Sequence, residues 1–183
     1  TSLSFTTADE TNPSLSSSSP ADNATAVATN SNIVLNFSEA VDAESGNIVI
    51  YNASNNSAVE TIDVTSGQVT GTGSTQITIN PGSDLAEQTS YYVQIAATAF
   101  DDSSSNSYAG ISDTTSLSFT TADETAPTIS SAATNTAGTK LILTYNEALS
   151  STTAATSAFS VTSGGSNNSV TDVAISGSTV ELT

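Results

Sequence analysis

The sequence contains no cysteine, no histidine, no methionine and no tryptophan, and Lys140 is its single cationic side chain. Without cysteine there is no disulfide framework and no thiolate metal site; without histidine there is no imidazole ligand. The same absences exclude Ser-His-Asp and Cys-His catalysis, so a nucleophilic serine would have to use Lys140, which opens an expected strand and sits in no distinctive motif. A glycosidase-type carboxylate pair needs a cleft with sugar-stacking aromatics, and five Tyr and five Phe without a Trp are poor material for one. The expectation is a protein that is not an enzyme.

Positive charge is the next scarcity. One basic residue stands against 18 Asp and Glu, for a net charge of −17. Phosphate binding relies on Lys and Arg, so nucleic acid and anionic lipid surfaces are excluded as partners, and cations are the natural counterpart. Charge of this size keeps a crowded chain soluble. No apolar run approaches the roughly 20 residues of a membrane helix, so no membrane insertion is expected. The start, Thr1-Ser-Leu-Ser-Phe5, reads as a strand and not as a basic, apolar leader. Thr1 is therefore not expected to be the natural N-terminus.

What the chain does have is a repeat. Residues 1–11, TSLSFTTADET, recur unchanged at 115–125, an offset of 115 − 1 = 114, and Pro13 maps onto Pro127 at the same offset. A period of that length is one β-sandwich domain and not a solenoid unit. It divides the 183 residues into three parts. Residues 1–8 form the last strand of a preceding repeat. Residues 9–122 form a complete domain with its entry linker. Residues 123–183 form a second linker and an incomplete domain, since about sixty residues are too few for a sandwich of about 100.

The strand pattern agrees. Ile33–Phe37, Asn47–Tyr51, Ala58–Val64, Gln76–Ile79 and Tyr91–Ile95 are rich in Val, Ile, Thr and Tyr, and several alternate apolar with polar residues. Gly, Asn, Ser and Pro cluster between them, as in Asn80-Pro-Gly-Ser83. About seven short strands at this spacing predict an all-β antiparallel sandwich. No segment shows a 3.6-residue apolar stripe, and Ser150–Ala158 has room for one helical turn at most.

Three motifs narrow the fold. In Asp84-Leu-Ala-Glu-Gln-Thr-Ser-Tyr91, a Leu sits under a turn and a Tyr opens the next strand; this resembles the tyrosine corner of immunoglobulin-like domains, with Tyr91 bonding back to the corner. The others are Ser19-Pro-Ala-Asp-Asn23 with Ile33–Asp42, and Phe100-Asp-Asp-Ser-Ser-Ser-Asn106 leading to Leu117–Thr121. Together, over about 12–122, they resemble the bacterial Ig-like domain of S-layer proteins. That pattern has a Pro-Ala-Asp start, a Phe-x-Glu-x-Val-Asp turn, an Asp-x-x-Gly-Asn loop and a closing Phe-x-Thr strand. The glycine of its loop is Ser105 here. Residues 127–180 are similar to a sister repeat of long cyanobacterial and marine bacterial surface proteins of adhesin or motility type. The resemblance implies tandem immunoglobulin-like antiparallel β-sandwiches in an extracellular or cell-surface protein.

Calcium is the chemical expectation, because it takes six to eight oxygens from Asp, Glu, Asn and carbonyls. In such a sandwich the B–C and F–G loops share a pole with the entering chain. The linker carries Asp9 and Glu10, the expected B–C loop Glu39 and Asp42, and the expected F–G loop Asp101, Asp102 and Asn106. The second junction repeats part of the set in Asp123, Glu124 and Glu147. Converging carboxylates without a cation repel one another. Asp22, Glu44, Asp84, Glu87 and Asp113 read instead as solvated turn residues. The sequence thus predicts a structural extender whose partners are neighbouring repeats. A loop module for surface glycans, or a filament subunit that exchanges strands with other copies of itself, stands as the rival.

Overall fold

Alternating apolar residues become the two inner faces of a sandwich. The structure is a computed structural model that describes residues 2–183; Thr1, the first residue of the duplicated segment, lies outside the described residues. Two compact units divide the chain, one ending at Glu124 and the other spanning Thr125–Thr183. The first contains β1 (Leu15–Ser19), β2 (Ala24–Val27), β3 (Ile33–Ala43), β4 (Asn47–Asn52), β5 (Ser57–Asp63), β6 (Val69–Thr70), β7 (Ser74–Ile79), β8 (Ser90–Ile95), β9 (Phe100–Asp101) and β10 (Ser118–Thr121).

One sheet runs β1-β3-β7-β6, with β9 also on β3; the other runs β2-β10-β8-β4-β5. Pro20 has no N–H for a ladder and follows the last residue of β1, so the chain leaves the first sheet there and re-forms as β2 in the second. Strand β10 closes the second sheet, parallel to β2 and antiparallel to β8. Successive strand side chains face opposite ways, so Ile33, Leu35 and Phe37 of β3 meet Ile48 and Ile50 of β4 and Val93 and Ile95 of β8 in one core. Tyr92 breaks the alternation by being buried on the outer face. Its ring stacks on that of Tyr51, its cross-strand neighbour, at 4.9 Å and 11°.

The corner motif is present. Leu85 is buried beneath the turn, and the Ala86 N–H donates to Tyr91 Oη at 3.0 Å. Segment Ser2–Thr7 lies in no strand among the described residues, where no partner takes its backbone groups. One other expectation changes. Glu39 and Asp42 lie not in a loop but within β3, which runs on through a register break after Asn36 and exchanges β7 for β9 as its partner.

The second unit holds β11 (Ile129–Thr134), β12 (Leu141–Tyr145), β13 (Val161–Ser163), β14 (Ser166–Asn168), β15 (Val173–Ser176) and β16 (Thr179–Leu182), with a single 3-10 turn at Thr156–Ala158. One sheet has the order β11-β12-β16-β15, and β13 and β14 form a separate hairpin. Val180 and Leu182 are its buried apolar residues. Lys140 is held by Glu181 in an ion pair. Among the described residues no helix is long and apolar enough to cross a membrane.

Candidate metal centre

Three carboxylates from distant parts of the first unit converge: Asp9 of the entry linker, Glu39 of β3 and Asp102 in the loop after β9. One oxygen from each lies within 4.8 Å of the others, and the group could hold a metal ion. Each residue is placed by a different force. Phe100, wholly buried, packs its ring 5.4 Å from that of Phe37 and pins the start of the loop. Tyr108, edge-on to Phe37 at 5.2 Å, pins the far side. The loop Phe100–Ile111 therefore spends its large apolar side chains on the core, with Tyr108 and Ile111 each 6% exposed.

Between those anchors Asp102 organises the loop. Its Oδ1 accepts the N–H groups of Ser104 at 2.8 Å and Asn106 at 2.7 Å, and its Oδ2 accepts from Asn106 Nδ2 at 2.8 Å. These donors, the Asn106 amide first, hold the Asp102 carboxyl below its ordinary range. Asn106 Nδ2 also donates to the Asp9 carbonyl at 3.1 Å, which ties the linker to the loop. The Asp9 carboxylate accepts the Thr11 N–H at 3.0 Å. Glu39 has no such relief. Desolvation, then the charges of Asp9 and Asp102, push its carboxyl above the usual glutamate range. Asp9 and Asp102 are thus each held by hydrogen-bond donors, and Glu39 stands within reach of both.

The tight loop has backbone requirements. Gly110 has a φ of +74°, and a Cβ there would stand 2.5 Å from the Ile95 carbonyl oxygen. Ser105 also lies in the left-handed region, at φ +66°, where the resembling pattern has glycine. A left-handed L-residue costs roughly 1–2 kcal/mol, partly offset by the entropy a glycine loses on folding. Ser105→Gly is therefore expected to stabilise the unit by about 0.5–1 kcal/mol, read as a higher urea midpoint at unchanged slope.

The remaining candidates from the sequence lie elsewhere. Asp42 and Asp101 are direct cross-strand partners in β3 and β9, and Asp42 Oδ1 accepts from Thr72 Oγ1 at 3.1 Å. Glu10 is exposed, and Glu147 belongs to the second unit. Asp123 and Glu124 end the first unit, and Glu124 accepts from Thr29 Oγ1 at 2.8 Å and from the Thr29 N–H at 3.3 Å. Two residues assigned to solvated turns do more than face water. Asp22 Oδ1 accepts the N–H and the hydroxyl of Ser118, both at 2.9 Å. Asp113 gathers the N–H groups of Thr115 and Ser116 and both hydroxyls, which draws its carboxyl far below the usual range. Both fasten the approach to β10, and no local sequence signal separates them from other loop acids.

Comparison with known proteins gives the following. A family model described as a bacterial Ig-like domain matches residues 9–121. A second, described as a "Putative flagellar system-associated repeat", matches residues 122–183. No curated protein matches the chain. Among solved structures, the crystal structure of the S-layer protein rSbsC is similar at 16% identity and a TM-score of 0.42, over 68% of this chain and 15% of that one.

Proposed function

Because the chain belongs to the bacterial Ig-like domain family, we propose that it is a non-catalytic extender segment of a long secreted or cell-surface repeat protein, of the adhesin, S-layer or motility-associated kind. Its work is mechanical: sandwiches set reach, and the cation at the entry linker sets stiffness. The ion is calcium, because the ligands are hard carboxylate oxygens from separate elements and the chain has no thiolate or imidazole to favour a softer metal. The observation that carries this reading is the position of Asp9. It belongs to the linker, yet its carboxylate joins Glu39 and Asp102 of the sandwich. A cation held there fastens the entering chain to the domain body. The match to a flagellar system-associated repeat supports a place in a surface apparatus.

The test is calorimetry of the full chain with calcium and with EDTA. A ligand bound only by the folded state stabilises it by about 2.7 kcal/mol at a hundredfold excess over its dissociation constant. The transition of the first unit should rise accordingly with calcium, and the peptide bond after Asp9 should become resistant to limited proteolysis. An unchanged melting profile in EDTA removes the cation from the proposal and leaves the extender reading to stand on the family alone.

A further inference from the structure

Leu3 and Phe5 are 96% and 90% exposed and stand two residues apart, the spacing that would put them on one face of a strand. Their sequence has a second copy whose behaviour is visible. Residues 115–125 repeat 1–11, and there the counterparts Leu117 and Phe119 are 1% and 3% exposed, seated between β2 and β8. The Phe119 ring lies 5.8 Å from that of Tyr91. Polar groups complete the seat. Ser118 donates twice to Asp22. Thr121 Oγ1 donates to the Ala86 carbonyl at 2.6 Å and accepts the Thr89 N–H at 3.0 Å, which joins the strand to the tyrosine corner. The Ala122 N–H donates to the Val27 carbonyl at 2.7 Å, and Glu124 takes the Thr29 hydroxyl. Each of these residues has its counterpart in Ser4, Thr7, Ala8 and Glu10.

We infer that residues 2–10 are a transferable closing strand, and that their partner is the β2–β8 slot of another sandwich of this same type. The occupant is specified by identity: a slot built for LSFTTADE at 117–124 accepts LSFTTADE from 3–10 with the same apolar contacts and the same clasps. This is insertion of a strand between two others, with main-chain bonds on both sides for affinity and two apolar side chains for specificity. It divides the labour of the linker acids. Glu10 clasps back onto the sandwich that the strand closes, as Glu124 does, while Asp9 reaches forward to Glu39 and Asp102. The inference rests on reading the chain as a run of like sandwiches, not on the cation.

The test uses the full chain carrying Leu117→Ala and Phe119→Ala to loosen its own closing strand, with Leu3→Asp and Phe5→Asp so that it cannot supply a substitute. A peptide of residues 1–11 is added in EDTA. It should raise the melting temperature by roughly 5–10 °C at a hundredfold excess over its dissociation constant. The same peptide with Leu3→Asp and Phe5→Asp should do nothing. If the substituted chain is unfolded, the unchanged peptide should restore its strand circular dichroism and the control peptide should not. No peptide-dependent gain in either measurement, or an equal gain from the control, overturns the inference. Calorimetry of the unsubstituted chain with calcium reads the cation separately, so failure of one leaves the other intact.

Discussion

Phe100→Ala lowers the stability of the first unit by about 3–5 kcal/mol, the range for an aromatic removed from a packed core, and moves its melting temperature down by roughly 10–20 °C. The ring is wholly buried and tilted against Phe37, which in turn meets Tyr108 edge-on. Removing it leaves a cavity that neither neighbour can fill, because both are fixed by strands or loop bonds. The same substitution at Phe5, 90% exposed, should change the melting temperature of this chain by no more than a surface substitution does, about 0.5 kcal/mol or less. The contrast between two phenylalanines makes the measurement specific to packing.

The loss should also reach the carboxylates. The Phe100 carbonyl accepts the Tyr108 N–H at 2.8 Å, and Asp102 N–H donates to the Asn106 carbonyl at 3.0 Å, so the loop closes on the residue that the core holds. With the anchor gone, Asp102 and Asn106 lose their fixed position relative to Glu39. Calcium-dependent stabilisation, measured as the difference between melts with calcium and with EDTA, should shrink in Phe100→Ala even though no ligand has been touched. A variant that is destabilised but keeps the full calcium difference would show that the loop is held by its own hydrogen bonds alone.

Much of the fold was legible from local signals. Alternation marked β4, β7 and β8, and the Leu85–Tyr91 corner carried its hydrogen bond in its spacing. The second copy of the duplicated segment ends at Thr125, the first residue of the second compact unit. The site was legible as a neighbourhood and not as a ligand set. Residue type and pole brought Asp9, Glu39, Asp42, Asp101, Asp102 and Asn106 into view, but register decides which of them meet. β3 continues past the register break instead of ending in a loop, so Asp42 pairs with Asp101 across a ladder while Glu39 faces Asp9 and Asp102. Glu124 found Thr29, 95 residues away in sequence, through the closing of β10 beside β2. Such partners follow from long-range pairing, which leaves no mark on nearby residues.

Glu39→Gln should reverse sign between two buffers. In EDTA the ionised Glu39 works against folding, because desolvation and the charges of Asp9 and Asp102 disfavour it. The amide removes that repulsion at nearly equal size, so the variant should melt higher than the parent. With calcium the order inverts, since the parent gains a three-carboxylate site and the variant retains two. Acid separates the same two states. A carboxyl raised in the folded protein binds its proton there first, so cation-free parent protein should gain stability as pH falls from neutral towards the ordinary glutamate range, about 4.3. Below that, the depressed carboxyls of Asp63, Asp102 and Asp113 dominate. Their contribution is complete above the ordinary aspartate value of about 3.9 and is lost as pH falls through their lower folded values. Glu39→Gln should remove the rise between neutral pH and about 4.3 and keep the acid loss. With calcium present the parent should instead lose stability over the upper window, as protonation of Glu39 competes with the ion. Parallel melting curves for parent and variant across that window, with and without calcium, would mean that Glu39 neither bears the repulsion nor holds the cation.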